Sequence, residues 1–162
     1  MIFNNSSIRR QDRLLDESRA FEILKDGEYG ILSMRTEDGN GAYGIPVNYV
    51  WDGTNSIYVH CAPVGRKLKC IDACRQVSFC VVGRTKVIPS QFTTAYESIV
   101  LKCTARHDLP EAERMSALSW LLSKYCPGDK ALGISYAEKS FSRTEIIRLD
   151  IEEISGKTKN KF

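Results

Sequence analysis

No stretch of this 162-residue chain approaches the ~20 consecutive apolar residues needed to cross a bilayer. Its start, Met-Ile-Phe-Asn-Asn-Ser-Ser, has no basic segment leading into an apolar core. Neither a membrane span nor an export signal is expected, and the cytoplasm is the expected compartment. A net charge of +3 is too small to point to a nucleic-acid partner. No Cys-x-x-Cys pair occurs, so zinc would need scattered ligands, and no metal is expected. There is no strand–helix–strand rhythm, and no G-x-G-x-x-G run links a strand to a helix, which disfavours a dinucleotide-binding fold. No Ser/His/Asp order or close Cys/His pair suggests a hydrolase.

Six cysteines are present, but a disulfide framework is not expected in a chain of this size without a leader. Cys61, Cys80 and Cys103 sit in apolar, strand-like runs, which predicts mostly buried free thiols. Cys70 and Cys74 stand one helical turn apart, a pair that leaves room for redox or adventitious metal chemistry.

What the chain does have is the hydrophobic and charged content of one soluble domain spanning residues 1–162. Residues 1–13 read as a basic arm lying on the body or on a partner. Helical spacing from Asp16 to Asp26 stops at Gly27. Strands are expected at Tyr29–Arg35, Ala42–Trp51, Ser56–Ala62, Val77–Gly83, Tyr96–Arg106 and Thr144–Ile154. Pro46 inside the second of these requires an edge or a bulge. The near-continuous apolar run of Val77–Gly83 reads as a strand covered on both faces. Residues 84–95 read as a loop, and 157–162 as a solvated basic tail. Asp108-Leu-Pro-Glu111 marks a helix start with Asp108 as cap. Met115, Leu118, Leu122 and Tyr125 then form a core-facing stripe closed by Pro127-Gly128, followed by a variable segment to Ser142. The expected fold is mainly β: five or six antiparallel strands in a closed or partly open barrel, one short crossover helix and two peripheral helices.

The most informative stretch runs from Asn55 to Cys74. An alternating strand meets a Pro/Gly turn and then a short helix opening on Gly65, Arg66 and Lys67. Free N–H groups, the helix dipole and two cations would together grip a phosphate. His60, inside the strand end, would lie near whatever the phosphate carries. The same stretch also reads as a hairpin-to-helix junction with solvated cations and a packed histidine. His107 reads as a surface residue beside a helix cap, and Glu97 and Glu111 as solvated carboxylates.

Taken in order, Arg10-Gln-Asp-Arg13, Gly44-Ile-Pro-Val-Asn-Tyr49, Ile57-Tyr-Val-His-Cys-Ala62, Gly65-Arg-Lys-Leu68, Tyr96-Glu-Ser-Ile-Val100 and Ile154-Ser-Gly-Lys157 carry a resemblance. From about Arg9 to Lys157 the chain resembles the split-barrel flavoproteins related to pyridoxamine phosphate oxidase, and among them the 5-nitroimidazole resistance proteins. The resemblance implies an antiparallel split barrel, a homodimer and a flavin at the dimer interface, FMN ahead of FAD. It also implies that Arg66 and Lys67 hold the flavin phosphate. Ile45, Pro46, Val47 and Asn48 would line the ring, with His60, Cys61 and Ala62 on the adjacent strand and Tyr96 and Ser98 from a later one. Cys61 departs from the smaller Gly or Ser expected after the histidine. The implied activity is reduction of a small, nitroaromatic-type acceptor with His60 as the catalytic residue. A non-catalytic flavin carrier or sensor satisfies the same residues. A true pyridoxamine phosphate oxidase would need cations for a second phosphate, for which Arg143 and Arg148 are the candidates.

Overall fold

A computed structural model describes residues 1–159, and its elements follow the sequence signals closely at the N-terminal end. Helix α1 (Glu17–Asp26) starts where the Asp16 carboxylate accepts the Arg19 N–H at 2.9 Å, and it ends where the Gly27 N–H reaches the Ile23 carbonyl. Its buried face is Ala20, Ile23 and Leu24. Ahead of it, β1 (Ile2–Phe3) lies along the body in parallel with the last strand, so the arm covers its own domain.

The remaining strands are β2 (Gly30–Arg35), β3 (Ala42–Val47), β4 (Val50–Trp51), β5 (Ser56–Cys61), β6 (Gln76–Ile88), β7 (Thr93–Arg106) and β8 (Glu145–Lys159). They hydrogen-bond in the order β3-β2-β6-β7-β8-β5-β4. β3 and β4 sit at opposite ends of this path, yet only Asn48 and Tyr49 join them. Three Cα steps reach no more than about 11 Å, so the sheet must curl until its edges nearly meet. No ladder joins those edges, and the result is an antiparallel barrel that is split and not closed. Pro46 lies on edge strand β3, where its missing N–H costs no ladder bond on the open side. Gly39-Asn-Gly-Ala-Tyr-Gly44 has the spacing of a dinucleotide fingerprint but lies in the β2–β3 hairpin, so it opens no helix.

Inside the barrel, Leu32, Tyr49, Ile57, Phe79, Ile99, Leu101 and Leu149 form the main core, capped by α1 and by α2 (Arg66–Ala73). A second core lies on the outer face, where α3 (Glu111–Tyr125) and α4 (Lys130–Ser140) cover Val50, Tyr58 and Ile146.

The structure corrects the expectations at several points. Residues 84–95 are not a loop. β6 and β7 extend as one long hairpin to a tight turn at Pro89–Gln91, because Val87 pairs with Thr94 and Lys86 with Ala95. Lys157, Thr158 and Lys159 belong to β8 rather than to a tail, held by pairing with Ser98, Glu97 and Tyr96; residues 160–162 of the expected tail lie outside the described residues. The run from Val77 to Gly83 is covered on one face only: Phe79 and Val81 are fully buried, whereas Val82 is 53% exposed. The expected strand Ala42–Trp51 breaks at Asn48–Tyr49. Asp108 caps nothing and takes a left-handed conformation (φ 58°), while Pro110 occupies the cap position of α3. On α3 the buried set is Ala117, Leu118 and Leu121, a shift that leaves Met115 and Leu122 half-buried. The segment to Ser142 contains α4, whose one buried residue, Ala137, gives almost no amphipathic signal. All six cysteines are free, but only Cys70 and Cys103 are buried.

Candidate functional site

β5 ends at Cys61 and passes through Ala62-Pro-Val to Gly65, the residue that opens α2. Gly65 has φ 155° and ψ 173°, a backbone region essentially reserved for glycine, and a Cβ placed there would meet no neighbour. No side chain caps the helix, so its first N–H groups remain available to an anion. Two cations stand behind it. Arg66 lies over the Tyr43 ring, 4.5 Å from its centroid, and 4.0 Å from a Glu37 oxygen at the β2–β3 turn. Lys67 lies near enough to the end of β5 for its charge to act on both His60 and Cys61. The Arg66–Glu37 contact is long and exposed, and an incoming phosphate displaces it at little cost.

Alternation along β3 sends Ile45 and Val47 inward against the core, while Pro46 faces out. β3 does not pair with β5. Its continuation β4 does, with Val50 opposite Tyr58 and Trp51 opposite Ile57. This antiparallel register brings Asn48 and His60 into one cavity of about 320 Å³, roofed by Leu118, Leu121, Leu122 and Ala137 of the α3–α4 pair. Pro46 is not among its lining residues. Gly133 makes the roof possible, since a Cβ there would stand 2.5 Å from a Leu122 methyl.

The polar groups at the cavity are few and ordered. Asn48 donates to the Glu28 carbonyl at 3.0 Å. The Tyr125 hydroxyl accepts the Tyr49 N–H at 3.0 Å and lies within hydrogen-bond reach of the Glu28 and Tyr49 carbonyls. The His60 ring makes no hydrogen bond among the described residues, and the residue is exposed. Partial burial, with Lys67 adding to it, holds its pKa below the ordinary 6.5, so the ring is neutral at pH 7. Cys61 points the other way, toward the main core, and burial pushes its thiol pKa up. Ala62 is exposed in the turn.

Tyr96 and Ser98 lie elsewhere, on the outer face of the barrel, opposite Thr85 and Lys159 and opposite Val82 and Lys157 respectively. That face is joined strand to strand, with Pro46 beside Ile31, then Cys80, Val100 and Ser155. It carries Val82 and Val100, which both stay exposed among the described residues.

Three residues differ from their expected roles. Glu97 is not solvated. It is 5% exposed and receives Arg19 at 2.8 Å and Arg84 at 3.1 Å, which hold its carboxyl at about 2. Its place among the inward residues Ala95, Ile99 and Leu101 is the signal that a partnered carboxylate was required. His107 is half-buried and bonds Asp72 at 2.7 Å, tying α2 to the segment before α3. Arg148 is held by Glu113 at 2.6 Å and Asp150 at 2.9 Å beneath α3, and so offers no second phosphate site; Arg143 is exposed after α4.

Among the described residues no helix is long and apolar enough to cross a membrane. A comparison with curated protein sequences gives no significant match. Among solved structures the fold is similar to a candidate 5-nitroimidazole antibiotic resistance protein from Bacteroides thetaiotaomicron, at 17% identity and TM-score 0.75, over 90% of this chain and 86% of that one. It is also similar to an FAD-binding protein from Mesorhizobium loti, at 21% and 0.66 over 91% and 98%. An FAD- and heme-binding protein from Mycobacterium smegmatis matches at 15% and 0.77 over 94% and 75%. At these identities the likeness speaks for the fold. The family profile reaches further: that of pyridoxamine 5'-phosphate oxidase matches residues 16–158, and the chain belongs to this family.

Proposed function

We propose that this protein is a flavin-dependent reductase of small planar acceptors of the nitroaromatic, 5-nitroimidazole type, working as a cytoplasmic homodimer. The observation that carries the reading is the cavity in which His60 and Asn48 meet under an apolar roof, next to the cationic start of α2. The residues fit a flavin. An uncapped helix N-terminus with Arg66 and Lys67 suits a phosphate, and an apolar wall with few polar groups suits a ring. FMN, which needs no adenosine pocket, is the first choice and FAD the second. A bound flavin supplies electrons two at a time or singly. The chain's own part is to hold the phosphate at α2, to exclude water from the acceptor with Leu118, Leu121 and Leu122, and to orient the acceptor with Asn48 and His60. His60 in its imidazolium form also delivers a proton.

Six free cysteines suit a reducing compartment. The uncovered outer face supports the dimer, because a row of Ile31, Pro46, Cys80, Val82 and Val100 facing water is costly for a monomer. Pro46, Tyr96 and Ser98 share that face, so a flavin at the interface reaches residues that one cavity does not unite. The test is an absorbance spectrum of the purified protein with mass analysis of the released cofactor, followed by turnover of a nitroimidazole with reduced flavin. Bound flavin with turnover supports the proposal; bound flavin without turnover replaces the reductase by a carrier.

A further inference from the structure

An open groove of about 770 Å³ lies away from the α2 phosphate end and shares Tyr125 with the His60 cavity. It runs between the end of α1, strand β4 and α3. Val50 forms its floor, and Trp51, Trp120 and Tyr125 give it aromatic walls. Trp120 stays 39% exposed while its ring is braced edge-on by Tyr58 at 5.4 Å, and Trp51 is stacked on Phe21 at 5.8 Å. Both indoles are therefore held in place before any ligand arrives.

Charge around the groove is uneven. Asp26, Glu28 and Asp52 line it against Lys25 and Lys124. Lys124 lines the groove with its ammonium engaged: it donates to the Gly27 carbonyl at 2.7 Å, sits 4.0 Å from the centre of the Tyr49 ring and feels the charge of Asp26. There it meets the C-terminal end of α1, and among the described residues the carboxylates of Asp26 and Glu28 have no side-chain hydrogen bond, Asp26 interacting with Lys124 through charge alone. Indole faces attract cations, and carboxylates at the rim add to that attraction.

We propose that this groove binds organic cations with a planar apolar body, an ammonium or amidinium group lying against the indoles and toward Asp26 and Glu28. An anion would meet three carboxylates against the two cations Lys25 and Lys124, the latter already engaged, and a neutral aromatic would gain only the apolar contact.

The chain's two tryptophans both line the groove, so their fluorescence reports occupancy directly. The flavin-loaded protein is titrated with benzyltrimethylammonium, benzyl alcohol and benzoate, each to about 10 mM. Saturable quenching by the cation, at least tenfold tighter than by the other two, is expected. The double variant Asp26→Asn with Glu28→Gln should weaken the cation about tenfold, and Trp120→Ala by a similar factor, with the flavin spectrum unchanged in both. Equal binding of benzyl alcohol, absence of saturation, or an unaltered affinity in the carboxamide variant overturns the proposal.

Discussion

The His60 ring differs from that of a structural histidine in having no hydrogen-bond partner among the described residues. Under the proposed function, His60→Ala should leave flavin affinity nearly intact and lower nitro-substrate turnover by about 10²-fold, the scale of losing a proton donor. Unchanged turnover with flavin fully bound would assign the residue to packing. The pH profile separates its two roles. The pKa of the ring in the folded protein lies below 6.5, so imidazolium accumulates only as pH falls beneath that value. Turnover that draws its proton from His60 therefore rises on acidification from pH 7, whereas turnover that needs only orientation stays level. At the other end of the site, replacing Arg66 and Lys67 together by Ala should weaken flavin binding roughly tenfold to a hundredfold, since a charge-assisted phosphate contact is worth about 1.5–3 kcal/mol. Equilibrium dialysis of FMN against both proteins decides it; an unaltered affinity removes the phosphate from α2. These residues were legible in the sequence because strand alternation and a Pro/Gly turn fix where they fall. The placement of Arg66 was not legible, because it depends on Tyr43 and Glu37 from another hairpin.

Elements are joined by a small number of polar pins, of which Glu97 is the most buried. Its carboxylate connects α1 through Arg19 to β6 through Arg84. The two arginines hold its folded pKa at about 2 against an ordinary 4.5. A depressed carboxylate contributes stability that is fully present above pH 4.5 and is lost as pH falls toward 2. Acid unfolding of the parent should therefore have a component in that window which is absent from Glu97→Gln, while the variant is less stable at pH 7 by about 1–3 kcal/mol. Urea melts at pH 7, 4 and 3 measure both; an equal pH response in the two proteins would refute the assignment. The α3–α4 pair offers a second check. In Gly133→Ala the new methyl would meet Leu122 and push it into the cavity beside His60. Overpacking of this kind costs about 1–3 kcal/mol, and it should raise KM for a nitroimidazole while flavin stoichiometry stays constant. An unchanged KM would place the acceptor outside this cavity. Helix α4 escaped the sequence reading because its contact with the body rests on Ala137 and Gly133. Small residues of that kind leave no apolar stripe.

At the scale of the whole molecule, the barrel presents one covered and one uncovered outer region. Beneath α3 and α4 the outer face is closed by Tyr58, Ile146 and the Arg148 ion pairs. Across β3, β2, β6 and β7 it is open and partly apolar. Val82→Asp in the centre of the open region should leave the monomer folded, since Val82 is already 53% exposed, and should block pairing of two copies. Sedimentation at micromolar concentration would then show a dimer for the parent and a monomer for the variant, with flavin affinity lower in the monomer. A parent that is monomeric with flavin bound would sink the interface.

Legible in the residues alone were the strand-rich class, the start and stop of α1, the need of Pro46 for an edge or a bulge, and the cationic opening of α2. Each of these follows from local chemistry: side-chain alternation, a carboxylate cap, a proline without an N–H, and a glycine-only backbone angle. Tertiary structure alone decided which outward residues meet. Asn48 and His60 share a cavity only because β4, not β3, pairs with β5. Glu97 is buried only because Arg19 and Arg84 converge on it from two other elements. The two arginines reach Glu97 across 13 and 78 residues, a convergence set by the closure of the whole sheet.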